Sequence, residues 1–114
     1  MIRVRMGQDP EKRIVALRIK GHAGFAERGK DLVCASASIL AHTAAQDVKD
    51  HEKAGRLACA PTVRLSEGRT EIAAQAATDE AFALLLHTFF VIQKGFLLLE
   101  HNHPRCVSVR KADS

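Results

Sequence analysis

Residues 21–38 read GHAGFAERGKDLVCASAS, and the spacing of apolar residues changes across them. Before this stretch, Val15, Leu17 and Ile19 alternate with other residues, a period of two that predicts a strand over residues 14–20 with one apolar face. After it, Val33, Ala37, Leu40, Ala44 and Val48 recur in steps of three and four, the spacing of a helix that packs one face. The stretch is therefore a strand end, a loop and a helix start. Gly21 and His22 stand at the mouth of the strand. A glycine-punctuated loop runs to Lys30, and the helix is expected to begin at Asp31 with Cys34 in its first turn. Asp31 suits an N-cap, because its carboxylate can accept the free amide three residues on, that of Cys34. One imidazole and one thiol thus sit at the two ends of one loop, beside a helix N-terminus.

Upstream, Ile2, Val4 and Met6 alternate with Arg3 and Arg5, and Asp9-Pro10 marks a turn, so an N-terminal hairpin is expected. Its outer face would carry Arg3, Arg5, Arg18 and Lys20, which reads as a solvated, aggregation-resistant surface. The chain has no Tyr or Trp, and the hairpin has no aromatic residue. A base-stacking sheet is disfavoured on that ground, and direct nucleic-acid binding is not expected.

Downstream, the helix should fade between Lys53 and Gly55. Residues 57–65 are strand-like, with Pro61 marking a bulge or an edge. Ser66-Glu67-Gly68 is a turn, and residues 70–76 form another strand. Thr78 should cap a second helix whose first turn carries Asp79 and Glu80. Its expected apolar face is Ala81, Leu84, Leu85, Thr88, Val91, Ile92 and Phe96, widened by Phe82, Phe89, Phe90, Leu97, Leu98 and Leu99. A helix this apolar is either central or covered on one side by a second subunit. A homodimer is expected, although a wrapped monomeric core fits nearly as well. Residues 101–104 end the helix, and residues 106–109 form a short last strand. The fold class is α+β: an antiparallel sheet with two main helices packed on it, in the order β-β-α-β-β-α-β, as one domain over residues 1–114.

Composition agrees with a folded domain. At 114 residues, 46% of them hydrophobic, the chain supports one core without staples. The longest apolar run, near residues 82–91, is interrupted by His87 and Thr88 and reads as too short and too mixed to span a membrane. The opening MIRVRMGQDP has no apolar signal segment ahead of its charges, so a cytoplasmic location is expected. Cys34, Cys59 and Cys106 form no CxxC and cannot all pair within one chain, so a disulfide framework is not expected. The net charge of +4 favours acidic partners without naming one.

A thiol protease needs a thiolate, an imidazole that holds it and moves its proton, and donors for the oxyanion. Cys34 near a helix N-terminus, with His22 folded back across the loop, would supply the first two. Backbone amides near Cys34 would supply the third. Ala35, Ser36 and Ala37 beside the thiol leave room for a peptide. The same residues also suit a plain structural role: a cysteine among alanines is often a small buried hydrophobe, and a histidine after a glycine is often a turn residue. His101, His103 and Cys106 match no standard zinc spacing, and neither a metal nor a cofactor is expected. His42 lies two turns from Cys34 and cannot serve as its base. His51 and His87 read as surface or satisfied core groups, and Cys59 and Cys106 as buried inert thiols.

Gly21-His22-Ala23, the loop glycines Gly24 and Gly29, the run Asp31-Leu32-Val33-Cys34-Ala35 and then Ser38 resemble the ribosomal-processing cysteine protease family, Prp or YsxB-like. The resemblance extends to length and element order. It implies an α+β homodimer with a dyad of Cys34 and His22. It further implies removal of an N-terminal extension from large-subunit ribosomal protein L twenty-seven, with the loop of residues 23–30 ordering on the substrate and Gly24 and Gly29 as its hinges. The alternative is a ribosome-associated binding module of the same fold without proteolysis, for which the basic hairpin and net charge speak.

Overall fold

The structure is a computed structural model that describes residues 1–21 and 28–111, with side chains from residue 32 onward in its first helix. β1 (Ile2–Asp9) and β2 (Ile14–Lys20) form the expected antiparallel hairpin, with Val4 opposite Ile19 and Met6 opposite Leu17. The period of two is realised as burial: Ile2, Val4, Met6, Val15, Leu17 and Ile19 all enter the core. At the turn, Asp9 Oδ1 accepts the Lys12 amide at 3.3 Å. Arg13 takes a left-handed conformation, φ 57°, and is anchored on both sides. Its carbonyl accepts from Ala76 N at 2.9 Å, and its Nε donates to Asp79 Oδ1 at 2.7 Å.

α1 (Arg28–Lys53) follows, then β3 (Thr62–Ser66), β4 (Arg69–Gln75), α2 (Asp79–Asn102) and β5 (Val107–Lys111). The sheet order is β3-β4-β2-β1-β5. Four strands run antiparallel to their neighbours, but β5 lies parallel to β1, so the sheet is mixed rather than wholly antiparallel. The length of α2 explains this. Its 24 residues span about 36 Å and return the chain to the end of the sheet where β1 begins. β5 then enters beside Ile2, whose amide donates to Cys106 O at 2.7 Å.

The expected strand over residues 57–65 is corrected to Thr62–Ser66. Before it, Leu57 makes one isolated bridge to Ala76, and Pro61 has no amide to offer a ladder. Cys59 was expected to be a buried thiol. It is exposed, with Sγ 3.7 Å from Gln75 Oε1. Cys106 is buried as expected.

Both helices lie on one face of the sheet in a single core. α1 contributes Val33, Ala37, Ala41, Ala44, Ala45 and Val48, and the run of alanines lets it approach closely. Thr78 caps α2, its Oγ1 accepting Ala81 N at 3.1 Å. The buried stripe of α2 is Ala81, Leu85, Phe89, Ile92 and Phe96. Leu84 and Val91, expected inside, are 52% and 50% exposed; of the residues expected to widen the face, Phe89 is buried, whereas Phe90, Leu97 and Leu98 are exposed. The stripe that packs is the narrow row of steps four, four, three and four, and residues at its flanks turn outward. Gly95 lets α1 pack onto α2, since a Cβ there would stand 2.7 Å from Leu40 Cδ2. At 24 residues α2 is long and apolar enough to cross a membrane, longer than the run read from the sequence. One side of it packs on the sheet and on α1.

His51, near the end of α1, is only 5% exposed, with Nε2 3.4 Å from Asp47 Oδ2 and Nδ1 3.5 Å from Arg56. It is a core group beside the Asp47 carboxylate, whose buried Oδ2 accepts no hydrogen bond among the described residues, whereas His42 and His87 are exposed.

Candidate active site

The sheet presents the site from Gly21. Its φ of 93° is a left-handed conformation that side chains avoid. A Cβ there would also collide with the Met1 carbonyl, so no other residue fits. The Gly21 amide donates to Gly68 O in the β3–β4 turn at 2.9 Å. The point where the chain leaves β2 is therefore held by Met1 on one side and Gly68 on the other. The sequence carries no signal of either contact with Gly21, because Met1 and Gly68 each present only a backbone carbonyl to it. His22, Ala23 and Gly24 lie outside the described residues, and so does any pairing of His22 with Cys34.

Three expectations about the helix start need correction. α1 begins at Arg28, so Asp31 lies inside it as the fourth residue and is not the N-cap. Gly29 belongs to the helix and not to a loop hinge. Cys34 is the seventh helical residue, at the end of the second turn, and not in the first turn. A helix leaves only its first four amides unpaired, which here are residues 28–31. The Cys34 amide is therefore committed within the helix and does not donate to an oxyanion. The dipole effect also fades within the first turn, so it does little for a thiol placed this far along. Apolar periodicity misplaced the boundary because residues 28–30 have no apolar side chain with which to mark a face.

Cys34 itself is well placed for chemistry. It is half-buried, packed against the core on one side and open on the other. Ala35 and Ser38 beside it are exposed. Ser36 turns its hydroxyl back onto Leu32 O at 2.8 Å, so it does not compete for a ligand. Among the described residues, the exposed side chains that adjoin the thiol on the following turn are small. A groove of about 420 Å³ lined by Pro10, Val15, Leu86, Phe89 and Gln93 lies at the hairpin-turn end of the sheet, away from Gly21, and does not include Cys34. Among the described residues, no three His, Cys, Asp or Glu side chains gather to hold a metal ion; Cys106 is buried while His101 and His103 are exposed.

The pattern of the family described as cysteine protease Prp matches residues 1–108. No curated protein matches the chain. Among solved structures, SMU.848 from Streptococcus mutans superposes with a TM-score of 0.69 at 22% identity, covering 100% of this chain and 96% of its own. An essential ribosomal processing protease Prp from S. aureus, in complex with a covalently linked product peptide, superposes with a TM-score of 0.67 at 21% identity, covering 98% of this chain and 100% of its own. The same S. aureus protease with a substrate peptide gives a TM-score of 0.67 at 17% identity, with the same coverage. At these identities the superpositions establish a shared fold, and the family match over nearly the whole length supplies the rest: the chain belongs to the cysteine protease Prp family.

Proposed function

We propose that the protein is a cytoplasmic cysteine endopeptidase that removes the N-terminal extension of the precursor of large-subunit ribosomal protein L twenty-seven. The observation that carries this reading is the half-open thiol of Cys34 beside small exposed side chains, in a chain of the cysteine protease Prp family. The S. aureus relative is described as a ribosomal processing protease and holds a covalently linked product peptide, which supports covalent chemistry on a peptide substrate.

Cys34 is the nucleophile and His22 the general base. The imidazole takes the thiol proton, and the thiolate attacks the scissile carbonyl. As the tetrahedral intermediate collapses, the protonated imidazole gives its proton to the leaving amine, and a thioester remains on Cys34. Water, deprotonated by the same imidazole, then hydrolyses the thioester and regenerates the thiol. Donors to the oxyanion come from groups other than the Cys34 amide, which the helix engages.

The enzyme works as a homodimer. The outward side of α2 exposes Leu84, Val91 and Leu98 in one row and Phe90 and Leu97 in a second, on either side of His87 and Lys94, more apolar surface than a lone helix usually leaves to water. The test is cleavage of full-length L twenty-seven precursor from the same organism, read by intact mass, with Cys34→Ala beside the wild type. Loss of a short N-terminal peptide with the wild type alone supports the reading. An uncut precursor with folded, reduced wild type refutes it. Alkylation of Cys34 by iodoacetamide should slow in His22→Ala, and equal rates would remove His22 from the dyad.

A further inference from the structure

The helices cover one face of the sheet, and no other described element covers the opposite face. Strand register places two rows of side chains across it. The first row runs Arg64, Glu71, Arg18, Arg5, Arg110 from β3 to β5. The second runs Ser66, Arg69, Lys20, Arg3, Ser108. Seven of the chain's 17 basic residues stand in these two rows, against Glu71 as the one acid in them. Glu71 is already engaged by Arg69 at 2.8 Å. Asp9 shares this face but lies at the far end of β1, where it accepts the Lys12 amide. The next row, Thr62, Ala73, Ala16 and Gly7, is small and leaves a smooth floor beside the charges. With strands about 4.8 Å apart and rows two residues apart, the basic field measures about 19 by 7 Å.

Simple protection of a sheet does not account for it. Charges protect edges, yet β1 and β2, which carry four of the seven, are interior strands. Arg5 faces Arg18 and Arg110, and Lys20 faces Arg3 and Arg69. Like charges placed directly opposite each other destabilise a sheet, so the fold gains nothing from these like-charge pairs, and Glu71, opposite Arg18 and Arg64, offsets only its own neighbours. Six of the seven are Arg, the side chain whose planar fork matches phosphate oxygens in pairs.

We infer that this open face is a docking surface for the phosphate backbone of double-helical RNA. The charge supplies the affinity, and the remaining chemistry selects the partner. A protein partner needs an apolar or aromatic anchor at the centre of the interface; beside the basic rows this face offers only Ala, Gly, Ser and Thr, and its one larger apolar side chain, Ile14, is half-buried at the far end beside Asp9 and Gln75. All described aromatic residues lie on α2, behind the sheet, so the described part of this face gives single strands no aromatic ring to stack on. Among the described residues, no helix or ribbon projects from this face to enter the major groove of DNA. A flat sheet instead fits the wide, shallow minor groove of A-form RNA, which is recognised by shape and phosphate contacts. Binding is independent of sequence and of the Cys34 chemistry on the opposite side.

The test is fluorescence anisotropy with a fluorescein-labelled RNA duplex of about 16 base pairs, between about 50 and about 200 mM salt. Wild type should bind in the micromolar range at the lower salt, weakening linearly on a log–log plot. Arg5→Gln/Arg18→Gln should lose about tenfold or more and reduce the salt slope by about two, since each phosphate contact contributes about 0.9. Arg5→Lys/Arg18→Lys should keep most of the binding. Lys49→Gln/Lys53→Gln, on α1 and so on the other side of the sheet, should keep all of it. Circular dichroism checks each fold, and Arg3→Gln/Lys20→Gln in the second row provides an equivalent test if the first pair fails to fold. The proposal is overturned by no binding at the lower salt, or by equal loss in the α1 pair. DNA duplex of the same sequence binding as tightly as RNA would also overturn it, as would phosphatidylserine vesicles binding where RNA does not.

Discussion

Arg5→Thr should make the protein more stable, although it removes the largest side chain at the centre of the sheet's open face. Arg5 lies on β1 between Arg18 of β2 and Arg110 of β5, each directly opposite it in register. A like-charge pair in that position destabilises by about 0.2–1 kcal/mol. All three arginines are exposed, so water and salt hold each pair to the lower half of that range. Relief of both repulsions should return about 0.5–1 kcal/mol, and Thr is itself a good strand residue. With a urea slope of about 1.5 kcal/mol/M, the midpoint should rise by about 0.3–0.7 M at low salt. Near 1 M salt the Debye length is about 3 Å, and the gain should largely vanish. Arg5→Lys keeps the charge and should leave the midpoint unchanged. A variant that is less stable than wild type at low salt, or a gain that persists at high salt, would refute an electrostatic origin.

Two further outcomes follow from other parts of the fold. Thr78→Ala removes the acceptor of the Ala81 amide and should lower stability by about 1 kcal/mol, a fall of about 4 °C in the calorimetric midpoint, whereas Thr78→Ser should hold it. Glu71 has its pKa lowered, chiefly by the hydrogen bond from Arg69 and further by the charges of Arg69, Arg18 and Arg64, with desolvation opposing. Its contribution is therefore complete above the ordinary glutamate range and is lost as pH falls through the lowered folded value. Glu71→Gln should accordingly flatten the decline of the urea midpoint on the acid side, and an identical acid profile in the two proteins would show that the carboxylate is not coupled to folding.

Much of the fold could be read from periodicity. A period of two placed β1 and β2, and their buried residues are the ones that alternate. The cap at Thr78 was legible because capping is local chemistry, a hydroxyl three residues from its amide. Where polar residues set the boundary, the pattern was silent. The first three residues of α1 carry no apolar mark, so periodicity points to a helix start at Asp31 and puts Cys34 a turn too early. Over residues 57–61, apolar content suggested a strand that Pro61 prevents from pairing.

By itself the sequence determined the element order, the buried faces of the hairpin and the candidate residues Cys34 and His22, because each depends on side chains near one another along the chain. Only the tertiary structure decided which strands became neighbours. That choice made β5 parallel to β1, buried Phe89 of α2 and left Leu84 and Val91 outside. It also joined Arg64, Arg69 and Arg110, distant in sequence, to the hairpin's own charges in two continuous rows. The four hairpin cations alone resemble an ordinary solvated surface. Register concentrates them because strand pairing brings residues many positions apart to within about 5 Å, a distance that no local pattern encodes.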